Sequence, residues 1–251
     1  MCKDPWRVAD VRLGLQVLMG AHPRDPWSID APFKGRDLTG PIRVAVMPSP
    51  PGGDVDSTVS DVVRRAAGVL ADAGYDVVEA CPPRYEEAVE VWARLIAGDF
   101  ASVLTQLAPI MGADAMAFYD AFDTVIPPLA DSAAFSQLLA QRDGIAREWS
   151  IFMEAHSLVL TPTSTQLSFE HGFDAASTEG AIATKIMQRP LVSANLLGLP
   201  SACVPAGRDE STGLPVGVLL TGQRFREDLC LDAAEAVETR LGLTTPIDPI
   251  V

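Results

Sequence analysis

Apolar residues recur along the chain at two periods, and their alternation predicts an α/β fold. Val8, Val11, Leu15 and Leu18 fall at helical spacing within residues 6–19, and Gly20 closes that segment. Ile42-Arg-Val-Ala-Val-Met47 reads as a short strand, and the turn-rich run Pro48–Asp54 breaks it. Asp56 or Ser57 can cap the next helix, whose apolar face is Val59, Val62, Val63, Ala66, Leu70 and Ala73. Gly74 suits a left-handed helix end, and Tyr75-Asp-Val-Val-Glu79 reads as a second strand. Strand 42–47, helix 57–73 and strand 75–80 therefore form a βαβ unit with parallel strands and a right-handed crossover. The loop Pro48-Ser-Pro-Pro-Gly-Gly-Asp54 has no G-x-G-x-x-G or Walker pattern, so it reads as a structural turn and not a phosphate cradle.

Residues 84–155 read as mostly helical, in segments Tyr85–Ala97, Phe100–Ala108, Ala113–Ala121 and Ser132–Ala155, interrupted by Pro127-Pro128. His156-Ser-Leu-Val-Leu-Thr-Pro162 reads as a strand. A helix follows over Thr178–Leu191, and Ala194–Leu197 leads into a Gly-Leu-Pro turn. Ser201–Val204 and Val216–Thr221 pair as an antiparallel hairpin, and Glu227–Leu241 is the closing helix.

Composition narrows the function classes. The 251 residues carry 33 acidic against 19 basic side chains, a formal charge of −14, which argues against a nucleic-acid partner. The longest apolar run, Val216-Gly-Val-Leu-Leu220, is far too short to cross a bilayer, and Met1-Cys-Lys-Asp-Pro does not read as a signal peptide. A cytoplasmic protein with no membrane association is expected. Cys2, Cys81, Cys203 and Cys230 are too dispersed for a zinc knuckle or a redox pair, and Cys203 and Cys230 read as small core residues. No metal or cofactor is expected.

The C-terminal part carries the most specific pattern. Asn195-Leu-Leu-Gly-Leu-Pro-Ser-Ala-Cys-Val-Pro-Ala-Gly207 is followed by Gly213-Leu-Pro-Val-Gly-Val-Leu-Leu-Thr-Gly-Gln-Arg-Phe225 and by the helix from Glu227. These segments resemble the C-terminal end of the amidase signature family. Val8–Gly20 resembles the helix that follows the family's catalytic loop, residues 42–83 its βαβ insertion, and Leu158–Thr163 the strand leading to the active-site cleft. The resemblance implies an α/β fold, the C-terminal part of the amidase signature fold, with a mixed sheet flanked by helices. It implies one partial domain over 1–251 with no separate second domain. It also implies hydrolysis of a carboxylic amide to acid plus ammonia or amine. The glutamyl-tRNA amidotransferase branch fits less well, because its Ser-Asn-Leu-Ala-Arg-Tyr-type segment is not found and the composition is acidic.

In that family a serine in a Gly-Ser-Ser-Gly-like loop attacks, a second serine relays its proton, and a lysine is the base. An unassisted hydroxyl attacks an amide poorly, which is why a base and an oxyanion hole are needed. This sequence contains no Ser-Ser pair and no Gly-Ser dipeptide. Lys3-Asp4 superficially resembles the family's Lys-Asp pair, but its downstream context belongs to the later helix, and Lys185 reads as a surface charge. No catalytic residue is therefore assigned, and the chain is expected to be inactive alone, as a portion that starts after the catalytic half. Its expected partners are a small amide substrate, once the catalytic half completes the cleft, and a second copy or a separate N-terminal chain.

Thr161, Pro162 and Thr163 are the candidate cleft-lining residues, since strand ends carry sites. Asn195 either pins the turn before Gly198 or faces substrate. Leu219 stands where many relatives carry glutamine, which places the local polar network in question. His171, beside Glu170, is a weaker candidate for independent hydrolytic chemistry, and Trp149 reads as packed. Half of a sheet-containing domain is expected to leave an open strand edge and an exposed apolar patch.

Overall fold

The computed structural model describes residues 7–126 and 129–243; Cys2, Lys3-Asp4 and Pro127-Pro128 lie outside them. The βαβ unit forms as its pattern predicts. Strand β1 (Arg43–Val46), helix α2 (Ser57–Asp72) and strand β2 (Asp76–Glu79) follow in order, with β1 and β2 parallel. The Asp56 carboxylate caps α2 by accepting from the Thr58 and Val59 backbone N–H groups at 2.7 and 3.3 Å, satisfying donors that have no partner inside the helix. Val59, Val62, Val63, Ala66 and Leu70 of the predicted face are all buried against the sheet.

Helix α3 (Tyr85–Leu107) runs without a break through Gly98, where the sequence suggested two helices. A side chain at Gly98 would overlap Leu129, so this glycine serves close packing and not a helix end. Helices α4 (Ala113–Asp123) and α5 (Ser132–Ala155) follow, and strand β3 (Leu158–Pro162) lies parallel to β1. A short helix α6 (Phe173–Ala176) precedes α7 (Thr178–Met187) and α8 (Arg189–Leu197). The single helix expected over 178–191 is thus two, because Pro190 in the first turn of α8 cannot donate a hydrogen bond back into α7. Strands β4 (Ser201–Arg208) and β5 (Pro215–Gly222) form the expected antiparallel hairpin, and α9 (Glu227–Leu241) closes the described chain.

The sheet has the order β2-β1-β3-β5-β4, parallel on one side of β3 and antiparallel on the other. Alternation along each strand sends side chains to two different layers. Val44, Val46, Leu158, Leu160, Val204, Val218 and Leu220 face α2 and α9. Ala45, Met47 and Val159 face α3, α5 and α8, where Trp149 is buried as expected and donates its indole N–H to the Pro83 carbonyl at 2.9 Å. Among the described residues no helix is long and apolar enough to cross a membrane.

Helix α1 (Val8–Leu18) packs on α9 and is held there by polar contacts. The Val8 N–H donates to Glu238 at 3.1 Å, and Arg12 pairs with Asp232 and Glu235 at 2.8 and 3.1 Å. Its predicted apolar stripe is only half covered. Val8 is buried and Leu15 partly so, but Val11 is 57% and Leu18 84% exposed.

Candidate functional site

The second face of the sheet is roofed by helices over β1 and β3 but lies open toward β4. Of the residues of β3, β5 and β4 that point to this side, those the roof and their neighbours leave uncovered can meet a ligand. Register places Thr161 opposite Leu219 and Leu219 opposite Cys203, with Thr221 opposite Ser201 one pair along. Ser201 and Cys203 are exposed, Thr163 and Gly217 are half-buried, and Thr161, Leu219 and Thr221 are buried. Four hydroxyls and one thiol thus line a single half-face. Ser201 and Thr221 share a hydrogen bond at 2.9 Å, and Thr163 Oγ1 lies 3.1 Å from Cys203 Sγ. A cavity of about 300 Å³ opens beside that last pair, walled by Ser164, Gln166, Pro205 and Gly217.

Gly217 makes the Thr163–Cys203 contact possible, since a Cβ there would lie 3.0 Å from Thr163 Oγ1 and 3.2 Å from Cys203 Sγ. The Thr161 hydroxyl, by contrast, is buried with no hydrogen-bond partner among the described residues. Its cross-strand neighbour is Leu219, the position where the resemblance called for a glutamine. An apolar side chain there offers the hydroxyl nothing, and a buried unpaired hydroxyl is destabilising by roughly 1–3 kcal/mol. The exposed part of the half-face offers hydroxyl and thiol groups that can hydrogen-bond a polar ligand. None of the cavity-lining residues is a carboxylate, imidazole or amine, so this wall has no base to activate a nucleophile.

The candidate residues divide accordingly. Thr161 and Thr163 lie on the open side, while Pro162 alternates to the buried α2/α9 side. Asn195 lies elsewhere, on α8, where its Oδ1 accepts the Trp92 indole N–H at 2.7 Å and ties α8 to α3. Cys203 is exposed, not a core residue, because β4 is the end strand; Cys230 is buried as expected. His171 is exposed in the turn before α6. Lys185 is not a simple surface charge. Its ammonium lies over the rings of Trp92 and Phe118, 5.4 and 4.8 Å from their centres, and burial lowers its pKa.

A second location draws attention by topology. The parallel neighbours β2 and β3 add to opposite edges of β1, so the ends of β1 and β3 flank the crevice where open α/β sheets commonly bind ligands. Here the chain fills that crevice with its own Arg189. This side chain is 1% exposed. Its guanidinium donates to the carbonyls of Pro50, Pro51, Gly53, Asp54 and Ile186 at 2.7–3.4 Å and to Thr165 Oγ1 at 2.8 Å. The loop after β1 therefore turns carbonyl oxygens inward, the opposite polarity to a phosphate cradle, which accounts for the absence of a glycine-rich motif. Burial pulls the Arg189 pKa down, but arginine keeps its proton at any physiological pH. Sequence reasoning does not single out Arg189. Its one signal is a lone cation in the otherwise uncharged run Met187-Gln-Arg-Pro-Leu-Val192.

The fold and this half-face define a mixed α/β protein with a hydroxyl-lined surface and no base in that surface. The chain belongs to the amidase signature family: the family model Amidase matches residues 6–231. Among curated relatives, it is 37% identical over 239 residues to the indoleacetamide hydrolase of Bradyrhizobium diazoefficiens, covering 94% of this chain and 45% of that protein. It is 26% identical over 262 residues to a component of the glutamyl-tRNA(Gln) amidotransferase of Lacticaseibacillus casei, covering 93% of this chain and 53% of that one. Among solved structures, 6-aminohexanoate cyclic dimer hydrolase complexed with substrate superposes with a TM-score of 0.72 at 23% identity, over 94% of this chain and 54% of that one. The chain thus spans about half the length of the relatives it matches.

Proposed function

We propose that this chain forms one wall of the substrate cleft of an amidase that hydrolyses carboxylic amides, and that it does not turn over substrate alone. In this reading the nucleophile, the relay and the base come from the part of the amidase fold that the chain does not span. One observation carries it: the open half-face offers hydroxyls to hold an amide, yet neither a base beside them nor a Ser-Ser pair anywhere in the sequence. The 37% identity to an indoleacetamide hydrolase makes a primary amide of an aromatic acetic acid the first substrate to try. Thr161 and Thr163 line the cleft, and Asn195 sets α8 through Trp92.

The test is ammonia release from indole-3-acetamide by the chain alone. It is repeated after mixing with the portion of the Bradyrhizobium diazoefficiens enzyme that lies outside the 239 matched residues. Turnover only in the mixture supports the reading, and turnover by the chain alone refutes it. A second reading, a non-catalytic protein that joins a separate chain or a second copy, is favoured by the uncovered stripe on α1. Association without turnover under the same conditions would select it.

A further inference from the structure

The cavities around the carboxyl ends of β1, β2 and β3 differ in charge. The crevice beyond β2, of about 280 Å³, has Arg64 and Glu79 in its wall, and the one beside Arg189, of about 260 Å³, has Glu86 and Glu90. The cavity of about 300 Å³ beside the Thr163–Cys203 pair has no Asp, Glu, Lys, Arg or His among its lining residues. Its polar groups are the hydroxyls of Thr163, Ser164 and Ser168 and the side-chain amide of Gln166. Each can both donate and accept, as an amide group does. Part of that capacity is used inside the wall: Ser164 Oγ donates to the Gln166 carbonyl at 2.9 Å, and Gln166 Nε2 to the Asp54 carbonyl at 3.1 Å. The rest of the wall is apolar. Strand alternation puts Pro205 of β4 and Pro215 of β5 on the same face as Cys203 and Gly217, with Leu167 and Val216 beside them.

We propose that this cavity selects substrates by charge: it takes amides whose acyl group is neutral, and it turns away those that carry an ammonium or a carboxylate, amino-acid amides among them. The inference rests on the reading above, and it adds the charge of the substrate. Desolvation is the physical ground. An ion that enters gives up its hydration, and this wall has no opposite charge to replace it, whereas a neutral amide exchanges water for hydroxyl and amide partners. The formal charge of −14 on the whole chain cannot sort substrates in this way, because it repels anions and attracts cations. Exclusion of both signs is therefore the mark of the cavity itself.

Three probes share one ring and differ in charge: at neutral pH indole-3-acetamide is uncharged, indole-3-acetate is an anion and tryptamine is a cation. Each is titrated against the full chain by ligand-observed NMR, for the parent, Thr163→Val and Thr163→Asp, with folding checked by circular dichroism. The acetamide is expected to bind about tenfold more tightly than either charged probe. Thr163→Val, which removes a hydroxyl from the wall, should weaken it about threefold. Thr163→Asp, which supplies a counter-ion, should improve tryptamine binding by about tenfold. The comparison of probes on the parent chain holds even where a variant does not fold. A charged probe bound as tightly as the acetamide, no binding of the acetamide, or binding indifferent to both substitutions overturns the proposal. If the chain mixed with the unmatched portion of the Bradyrhizobium diazoefficiens enzyme hydrolyses tryptophan amide, a cation, as fast as indole-3-acetamide, charge selection fails and the cleft reading stands. Charge-selective binding that responds to Thr163, without turnover in that mixture, keeps the selection and defeats the cleft reading.

Discussion

Replacing Arg189 with methionine keeps most of the side-chain volume and removes every donor. Six acceptors lose a partner: the carbonyls of Pro50, Pro51, Gly53, Asp54 and Ile186, and Thr165 Oγ1. They are not equivalent. The contacts to Pro50 and Thr165 are buried, so those two oxygens are stranded, at about 1–3 kcal/mol each. The other four sit in partly buried contacts that water can replace. Relief of the guanidinium's own desolvation offsets part of the loss, which leaves a net destabilisation of about 3 kcal/mol, within the range for breaking a buried charged network. For a chain of this size that corresponds to a Tm lower by about 6–12 °C. Urea unfolding followed by circular dichroism measures it, with the urea m-value as a check on the unfolded state. Arg189→Lys keeps the charge but loses the planar fork, and falls between the two. A loss below about 1 kcal/mol for Arg189→Met at unchanged m would show that the crevice tolerates open carbonyls, and would refute the role assigned to this residue.

Three further outcomes follow from other contacts. Thr161→Val deletes a buried hydroxyl that has no partner and should raise stability by about 1 kcal/mol in the same titration; a loss of stability would mean the hydroxyl is satisfied. Gly207→Ala places a Cβ on Val62 of α2, and thermal unfolding should show a loss of about 1–3 kcal/mol, while a neutral result would show that α2 can retreat. Asp228 is buried at the start of α9, where burial alone would raise its carboxyl. The Arg226 guanidinium and the Leu229 and Gly35 N–H groups outweigh that and hold it below the ordinary aspartate value. The folded pKa is thus the lower one, so its stabilisation is present above the unfolded value of about 3.9 and fades as pH falls through the folded value. Asp228→Asn should cost about 2 kcal/mol at pH 7 and progressively less below about pH 4; a difference that stays constant with pH would count against this pairing.

The parts of the fold legible from the sequence are those whose causes are local. The βαβ unit follows from a β-branched run, an Asp cap and a six-residue apolar face, and the α9 boundaries follow from helical periodicity. The illegible parts depend on who sits next to whom. Gly98 has the look of a helix end, but Leu129 needs its bare backbone. Cys203 has the apolar neighbours of a core residue, but nothing local marks β4 as the last strand. Val11 and Leu18 share a stripe with Val8, but only the packing of α1 on α9 decides which of them is covered. Of the residues singled out because strand ends carry sites, Thr161 and Thr163 share the open side of the sheet, whereas Pro162 alternates away from them. Arg189 escapes notice because its partners in the loop after β1 are backbone carbonyls 135 to 139 residues away.

The strand order has a consequence for the chain while it is being made. β1 is complete at Val46, but its second neighbour β3 begins at Leu158, and β3 in turn waits for β5. At about 5–20 residues per second the ribosome takes roughly 6–20 s to cover that interval. For that time the nascent βαβ unit holds an open, wholly apolar edge at Val44-Ala45-Val46, which in the finished sheet is covered by β3. A strand that is paired on both sides in the native protein is therefore open on one side during synthesis, and it is there that a chaperone or a misplaced strand would first take hold.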